Sequence, residues 1–94
     1  MKKSLTALAA LLLFAGPARA QTDYSTVEET VTDLGHNMYA LTGAGGNTTV
    51  AVGSDGIIVV DTQYAPLYDK IRAKIASLSP LPVKYVILSH YHGD

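Results

Sequence analysis

The sequence predicts an α/β (α+β) fold, and three features of residues 21–94 predict it. Short β-rich runs with glycine-bearing turns fill the first half, a single amphipathic helix pattern follows, and a last apolar run leads straight into His90-Tyr91-His92-Gly93-Asp94. Strands, then a helix, then a returning strand make a layered arrangement whose ligands gather beyond the carboxyl ends of the strands. His90 stands at such an end.

Residues 27–33 (Val27, Glu28, Glu29, Thr30, Val31, Thr32, Asp33) favour β-structure but alternate only loosely, so a weak edge strand is expected there, closed by Gly35-His36-Asn37. Met38 to Thr42 reads as a second strand. The glycines of Gly43-Ala44-Gly45-Gly46-Asn47 then allow backbone angles that a Cβ resists. Residues 48–52 and 57–60 flank Gly53-Ser54-Asp55-Gly56 as an antiparallel hairpin with Asp-Gly in its turn. Ile57-Ile58-Val59-Val60 has no polar alternation, which predicts a central strand buried on both faces.

From Pro66 the apolar period changes. Leu67, Ile71, Ile75 and Leu78 recur at helical steps while Asp69, Lys70, Arg72 and Lys74 point elsewhere, predicting an amphipathic helix with a solvated basic face. Pro66 suits the first turn, where a missing N–H costs nothing, and Pro80 and Pro82 stop the helix. Residues 83–89, centred on Val86-Ile87-Leu88, read as a second buried strand.

The first twenty residues have a different character. Lys2 and Lys3 precede an apolar run from Leu5 to Ala15, and Gly16-Pro17-Ala18-Arg19-Ala20 supplies a small-x-small cleavage site, the three parts of a signal peptide cut after Ala20. The run is shorter than the roughly 20 residues needed to cross a bilayer, so export to the periplasm or medium is expected, with no membrane contact after cleavage. Removing residues 1–20 leaves Lys70, Arg72, Lys74 and Lys84 against all eight acidic residues. That acidic balance lacks the electrostatic footprint of a nucleic-acid binder. The chain has no cysteine, so no disulfide braces the exported fold and any metal must take nitrogen and oxygen ligands.

His90, His92 and Asp94 alternate with Tyr91 and Gly93, so an extended segment presents three metal-capable side chains on one side. Two imidazoles at i and i+2 can reach one zinc ion at about 2.0–2.1 Å, while the carboxylate reaches a different point. The plainer explanation is a surface turn with incidental histidines. It suits His36, alone in its turn, better than two of the chain's three His and an Asp packed into five residues. Tyr91 is expected to point away from its His neighbours, towards packing or substrate. Asp61 ends an apolar strand, where an unpaired carboxylate is costly, and must find a partner or a cation. The glycines of residues 43–47 lack the spacing and following helix of a phosphate cradle, and a loop near the site is expected instead.

With Val86-Ile87-Leu88-Ser89-His90-Tyr91-His92-Gly93-Asp94 in view, the chain resembles the metallo-β-lactamase superfamily, whose signature is His-x-His-x-Asp-His after a hydrophobic strand. Gly45-Gly46-Asn47, the hairpin around Asp55-Gly56 and Val59-Val60-Asp61-Thr62 extend the resemblance over residues 38–94. It implies that residues 21–94 are the N-terminal part of an αββα sandwich, with His90 and His92 on a first zinc, Asp94 on a second and Asp61 supporting the metal loop from beneath. The His expected after Asp94, and the later ligands that complete both sites, are not among these 94 residues. The resemblance therefore implies a fragment of an exported zinc-dependent hydrolase that attacks a small-molecule substrate with metal-activated water. The fragment alone is expected to be inactive. β-Lactams or another ester- or amide-type substrate are the expected targets, with iron or manganese as alternative metals. Because imidazole must be neutral to coordinate, metal loss is expected below about pH 6. Two other readings are an iron-dependent redox member of the same fold and a small exported non-catalytic protein with at most weak metal binding.

Overall fold

The computed structural model describes residues 22–94. The expected signal peptide, residues 1–20, lies outside the described residues. Five strands form one sheet in sequence order: β1 (Thr30–Gly35), β2 (Met38–Thr42), β3 (Thr48–Val52), β4 (Ile57–Val60) and β5 (Val83–Ile87). The first four pair antiparallel through short turns, and β5 returns parallel to β4. That return is made by a 3-10 turn (Ala65–Leu67) and the helix α1 (Tyr68–Leu78). Parallel pairing needs such a crossover, because a tight turn can join only antiparallel neighbours.

The turns carry backbone angles that explain their residues. His36 and Asn37 both have positive φ, 55° and 62°, as a two-residue hairpin of the I′ type requires. The expected edge strand lies at the edge but starts three residues late. Its predecessor Val27 is tied into a turn by its N–H to Tyr24 O, 3.1 Å, so the chain extends only from Thr30.

Ridges of α1 fill one face of the sheet. Leu67, Ile71 and Ile75 pack with Leu41, Val50, Ile57 and Val59 in a single buried cluster, flanked by Val31, Tyr39, Val52 and Leu78. These sheet residues alternate along their strands and so share a face. The helix therefore follows the apolar period of the sequence. Its basic face departs from expectation: Lys70 is not simply solvated but donates to the carbonyls of Tyr24, Ser25 and Val27 at 3.2, 2.8 and 2.5 Å. An ammonium has three hydrogens, and here each finds a backbone oxygen of the segment leading into β1.

Two burial expectations are corrected. β4 is central, between β3 and β5, but only Ile57 and Val59 are buried; Ile58, on the opposite face, is 38% exposed. β5 is not buried at all, with Val83, Tyr85, Val86 and Ile87 between 44 and 64% exposed, and it ends at Ile87 rather than Ser89. The physical reason is common to both. A run without polar alternation reports that both faces are apolar, whereas among the described residues only one face of the sheet is covered, and β5 is its outer strand.

Candidate metal centre

The centre forms where β4 and β5 end side by side. Parallel pairing sets Val60 opposite Ile87, so Asp61, the residue after β4, and Ser89, two residues past β5, emerge as neighbours. Asp61 N–H donates to Ile87 O at 2.8 Å, and Asp61 takes a left-handed backbone, φ 62°, that turns its carboxylate back on the second strand's exit. There it accepts the Ser89 N–H at 2.8 Å and the Ser89 hydroxyl at 2.6 Å. The partner that a carboxylate at a strand end requires is thus Ser89. These two bonds favour the ionised form and hold the Asp61 carboxyl below the usual carboxylate range, with a smaller contribution from His90 and an opposing one from desolvation.

Ser89 passes the arrangement on. Its Oγ lies 2.9 Å from His90 Nδ1. Since the hydroxyl proton is directed to Asp61, Oγ is left to accept, and His90 Nδ1–H donates to it. Asp61 Oδ1 lies 3.8 Å from the same nitrogen. His90 Nε2 then faces Asp94, 3.3 Å from Oδ1. The imidazoles of His90 and His92 meet edge to face with centroids 4.9 Å apart.

The glycine loop completes the centre. Gly46 N–H donates to Asp94 Oδ2 at 2.9 Å, and this bond is the main reason the Asp94 carboxyl is held below its ordinary range. Gly45 has φ 78°, and a Cβ there would fall 2.7 Å from the Tyr64 ring and 3.2 Å from Asp94. Only glycine lets this backbone approach so closely.

One ligand atom each from His90, His92 and Asp94 lies within 4.8 Å of the others. The segment is bent at His90 and His92 rather than extended, yet it still gathers the three side chains that alternation pointed to. Two neutral-capable imidazoles and a carboxylate, with no thiolate nearby, suit zinc and other borderline divalent ions, so the donor set fits a metal centre. Tyr91 projects to solvent, 98% exposed. His36 is an exposed turn residue at the far end of the β1–β2 hairpin. Ser89 and Gln63 were given no role from sequence, whereas Gly46 falls in the glycine loop expected near the site. Of these two, Ser89 alone had a signal, being the last residue of the predicted strand and the one directly before the first histidine. An open cleft of about 1260 Å³ between α1 and β5 runs from Ile71, Ile75 and Val86 to His90, His92 and Asp94.

A parallel strand pair that delivers a His-x-His-x-Asp cluster over a supporting Asp is an α+β arrangement whose donor set suits a metal ion. The family model of the metallo-beta-lactamase superfamily matches residues 41–94, and the chain belongs to that superfamily. No curated protein matches the chain at a significant level. The matched segment begins inside β2 and holds the glycine loop, Asp61, α1 and the whole His-Asp cluster.

Proposed function

We propose that the protein is a zinc-dependent hydrolase in which His90, His92 and Asp94 are metal ligands and Asp61 is the residue that orients them. The observation that carries this reading is the Asp61–Ser89–His90 chain of hydrogen bonds. By accepting a hydrogen bond from Nδ1–H, it keeps the ring proton on that nitrogen and leaves the His90 Nε2 lone pair free, directed at the group formed with His92 and Asp94. Metal-binding histidines are commonly fixed this way, with a carboxylate behind the ring that sets the tautomer and raises ligand basicity. Bound zinc would supply a water of pKa about 7 and polarise the bond under attack.

The chain's own residues contribute orientation and access. Gly46 N–H fixes one Asp94 oxygen and leaves the other turned towards His90, so the carboxylate stays ionised and aimed. The apolar cleft ending at the cluster gives a small-molecule substrate a route to it. Substrates with a hydrolysable ester- or amide-type bond, β-lactams among them, fit this chemistry. Two zinc ions per complete domain, as well as export guided by residues 1–20, belong to the same reading. Among the described residues, no helix is long and apolar enough to cross a membrane.

The test is hydrolysis of a panel of a β-lactam, a thioester, a phosphodiester and a lactone by the purified full-length protein. The panel is run with and without a chelator, followed by zinc readdition. Turnover of one member that is lost to chelator, restored by zinc and abolished in His92→Ala is expected. Full activity of His92→Ala with zinc still bound would refute the assignment.

A further inference from the structure

A residue outside the His-Asp cluster ties its two supports together. Gln63 is buried, 3% exposed, and has φ 57°, a left-handed conformation that residues with a Cβ seldom take. It lies two residues after Asp61, which shares that conformation, so the exit from β4 turns sharply within three residues. Such strained backbone persists only where surrounding contacts fix it.

The contacts that fix it come from the Gln63 amide. Its Nε2 lies 3.2 Å from Glu29 Oε2, 3.2 Å from Leu41 O and 3.4 Å from Thr48 Oγ1, so three oxygens from β2, β3 and the approach to β1 surround one NH₂ group. Its Oε1 accepts the Ala44 N–H at 3.3 Å, at the start of the glycine loop. Two residues on, Gly46 N–H grips Asp94. Glu29 is itself 3% exposed, packs against Gly43, and among the described residues its Oε1 has no hydrogen-bond partner. Without Gln63 the buried Glu29 side chain would lose the one donor it has among the described residues, which makes this amide costly to remove. An amide presents donors to that acceptor cluster from one atom and accepts from Ala44 at the other.

We infer that Gln63 is a positioning residue for the metal centre: its side chain fixes the loop that holds Asp94 while its backbone fixes the turn that presents Asp61 to Ser89 and His90. The inference rests on the metal-centre reading proposed above. Neither support touches the other directly, and Gln63 joins them through one buried side chain. Shortening it by one methylene withdraws the amide from Ala44 and Glu29. Asparagine accepts a positive φ, so the backbone is spared.

The experiment measures the zinc Kd of the full-length protein by competition with a chromogenic chelator, together with amide hydrogen exchange at Ala44 and Gly46. Gln63→Asn is compared with wild type and with Ile75→Val, a core change on α1 whose side chain makes no hydrogen bond in the network. Gln63→Asn is expected to bind zinc about tenfold more weakly, in the range for lost outer partners of a metal ligand, and to exchange faster at both amides. Ile75→Val is expected to lower Tm while leaving the Kd and both amides unchanged. Gln63→Gly, which eases the backbone and removes the amide, is expected to follow Gln63→Asn and keeps the test intact if the asparagine variant folds poorly. Wild-type zinc affinity in both Gln63 variants, or a loss no greater than in Ile75→Val, overturns the inference. Zinc binding lost in His92→Ala but intact in the Gln63 variants overturns it alone. Zinc binding intact in His92→Ala overturns the metal-centre reading and this inference with it.

Discussion

Gly35 and Gly45 form a matched pair that separates backbone strain from crowding. Both have left-handed backbones, φ 84° and 78°, so an alanine at either costs about 1–2 kcal/mol for the same steric reason. Their surroundings differ. A Cβ on Gly35 meets nothing within 4 Å, whereas one on Gly45 falls 2.7 Å from Tyr64 Cε2 and 3.2 Å from Asp94. Carbon atoms rest about 3.5–4.0 Å apart, so the loop must move by roughly 0.8 Å or the ring must yield. The Tyr64 ring is backed by Tyr24, with centroids 5.3 Å apart, which limits its retreat. Overpacking of this kind adds about 1–3 kcal/mol. A shift of that size along the Gly46 N–H···Asp94 bond, now 2.9 Å, carries it to about 3.7 Å and out of hydrogen-bonding range. Gly35→Ala is therefore expected to lose about 1–2 kcal/mol of unfolding free energy with zinc affinity unchanged. Gly45→Ala is expected to lose about 2–5 kcal/mol and to bind zinc about tenfold more weakly. Urea unfolding of the metal-free protein and chelator competition supply the two numbers. Equal zinc affinity in both variants, or a larger stability loss at Gly35, would refute the reasoning.

Asp61→Asn keeps the side chain's shape but replaces an acceptor of two Ser89 bonds with a group that must also place two hydrogens. It is expected to weaken zinc binding by about 10–100-fold in the same competition assay. The hydrogen bonds that favour the ionised carboxylates of Asp61 and Asp94 set a pH dependence. A carboxyl whose folded value lies below its unfolded one stabilises the fold above the unfolded value, and that contribution is lost as pH falls through the folded value. Carboxyl carbon NMR titration of the metal-free protein is expected to give both residues midpoints below the usual carboxylate range, with acid loss of the Ser89 and Gly46 bonds following those midpoints. Lys70→Met removes the ammonium that gathers the carbonyls of Tyr24, Ser25 and Val27, so limited proteolysis is expected to cut residues 22–29 faster while the helix and sheet persist.

The sequence carried the strands and the helix because their signals are local. The I′-type turn at His36-Asn37, the Asp-Gly hairpin and the period of Leu67, Ile71, Ile75 and Leu78 each need only a few neighbouring residues. Burial was less legible. The apolar runs of β4 and β5 show that both faces seek cover but not which face receives it, and the structure covers only the side beneath α1. The ligand group was legible from alternation in one pentapeptide. Of its supports, Asp61 was legible as a carboxylate at a strand end that needs a partner, and the glycine loop as a neighbour of the cluster, but Ser89 and Gln63 were not, because they meet the others through strand pairing and left-handed turns for which spacing carries no signal. Glu29 shows the same limit: a glutamate in a loosely alternating run reads as solvated, yet it is buried against Gln63 and Gly43.

The central claim is that His90, His92 and Asp94 hold a metal ion. X-ray absorption at the zinc edge of the zinc-loaded full-length protein tests it most directly, comparing wild type with His90→Ala and His92→Ala. Nitrogen and oxygen neighbours at about 2.0–2.2 Å are expected, with imidazole scattering that falls by one ring in each variant or disappears with the metal. An unchanged imidazole signal and unchanged zinc content in both variants would place the metal elsewhere and contradict the account.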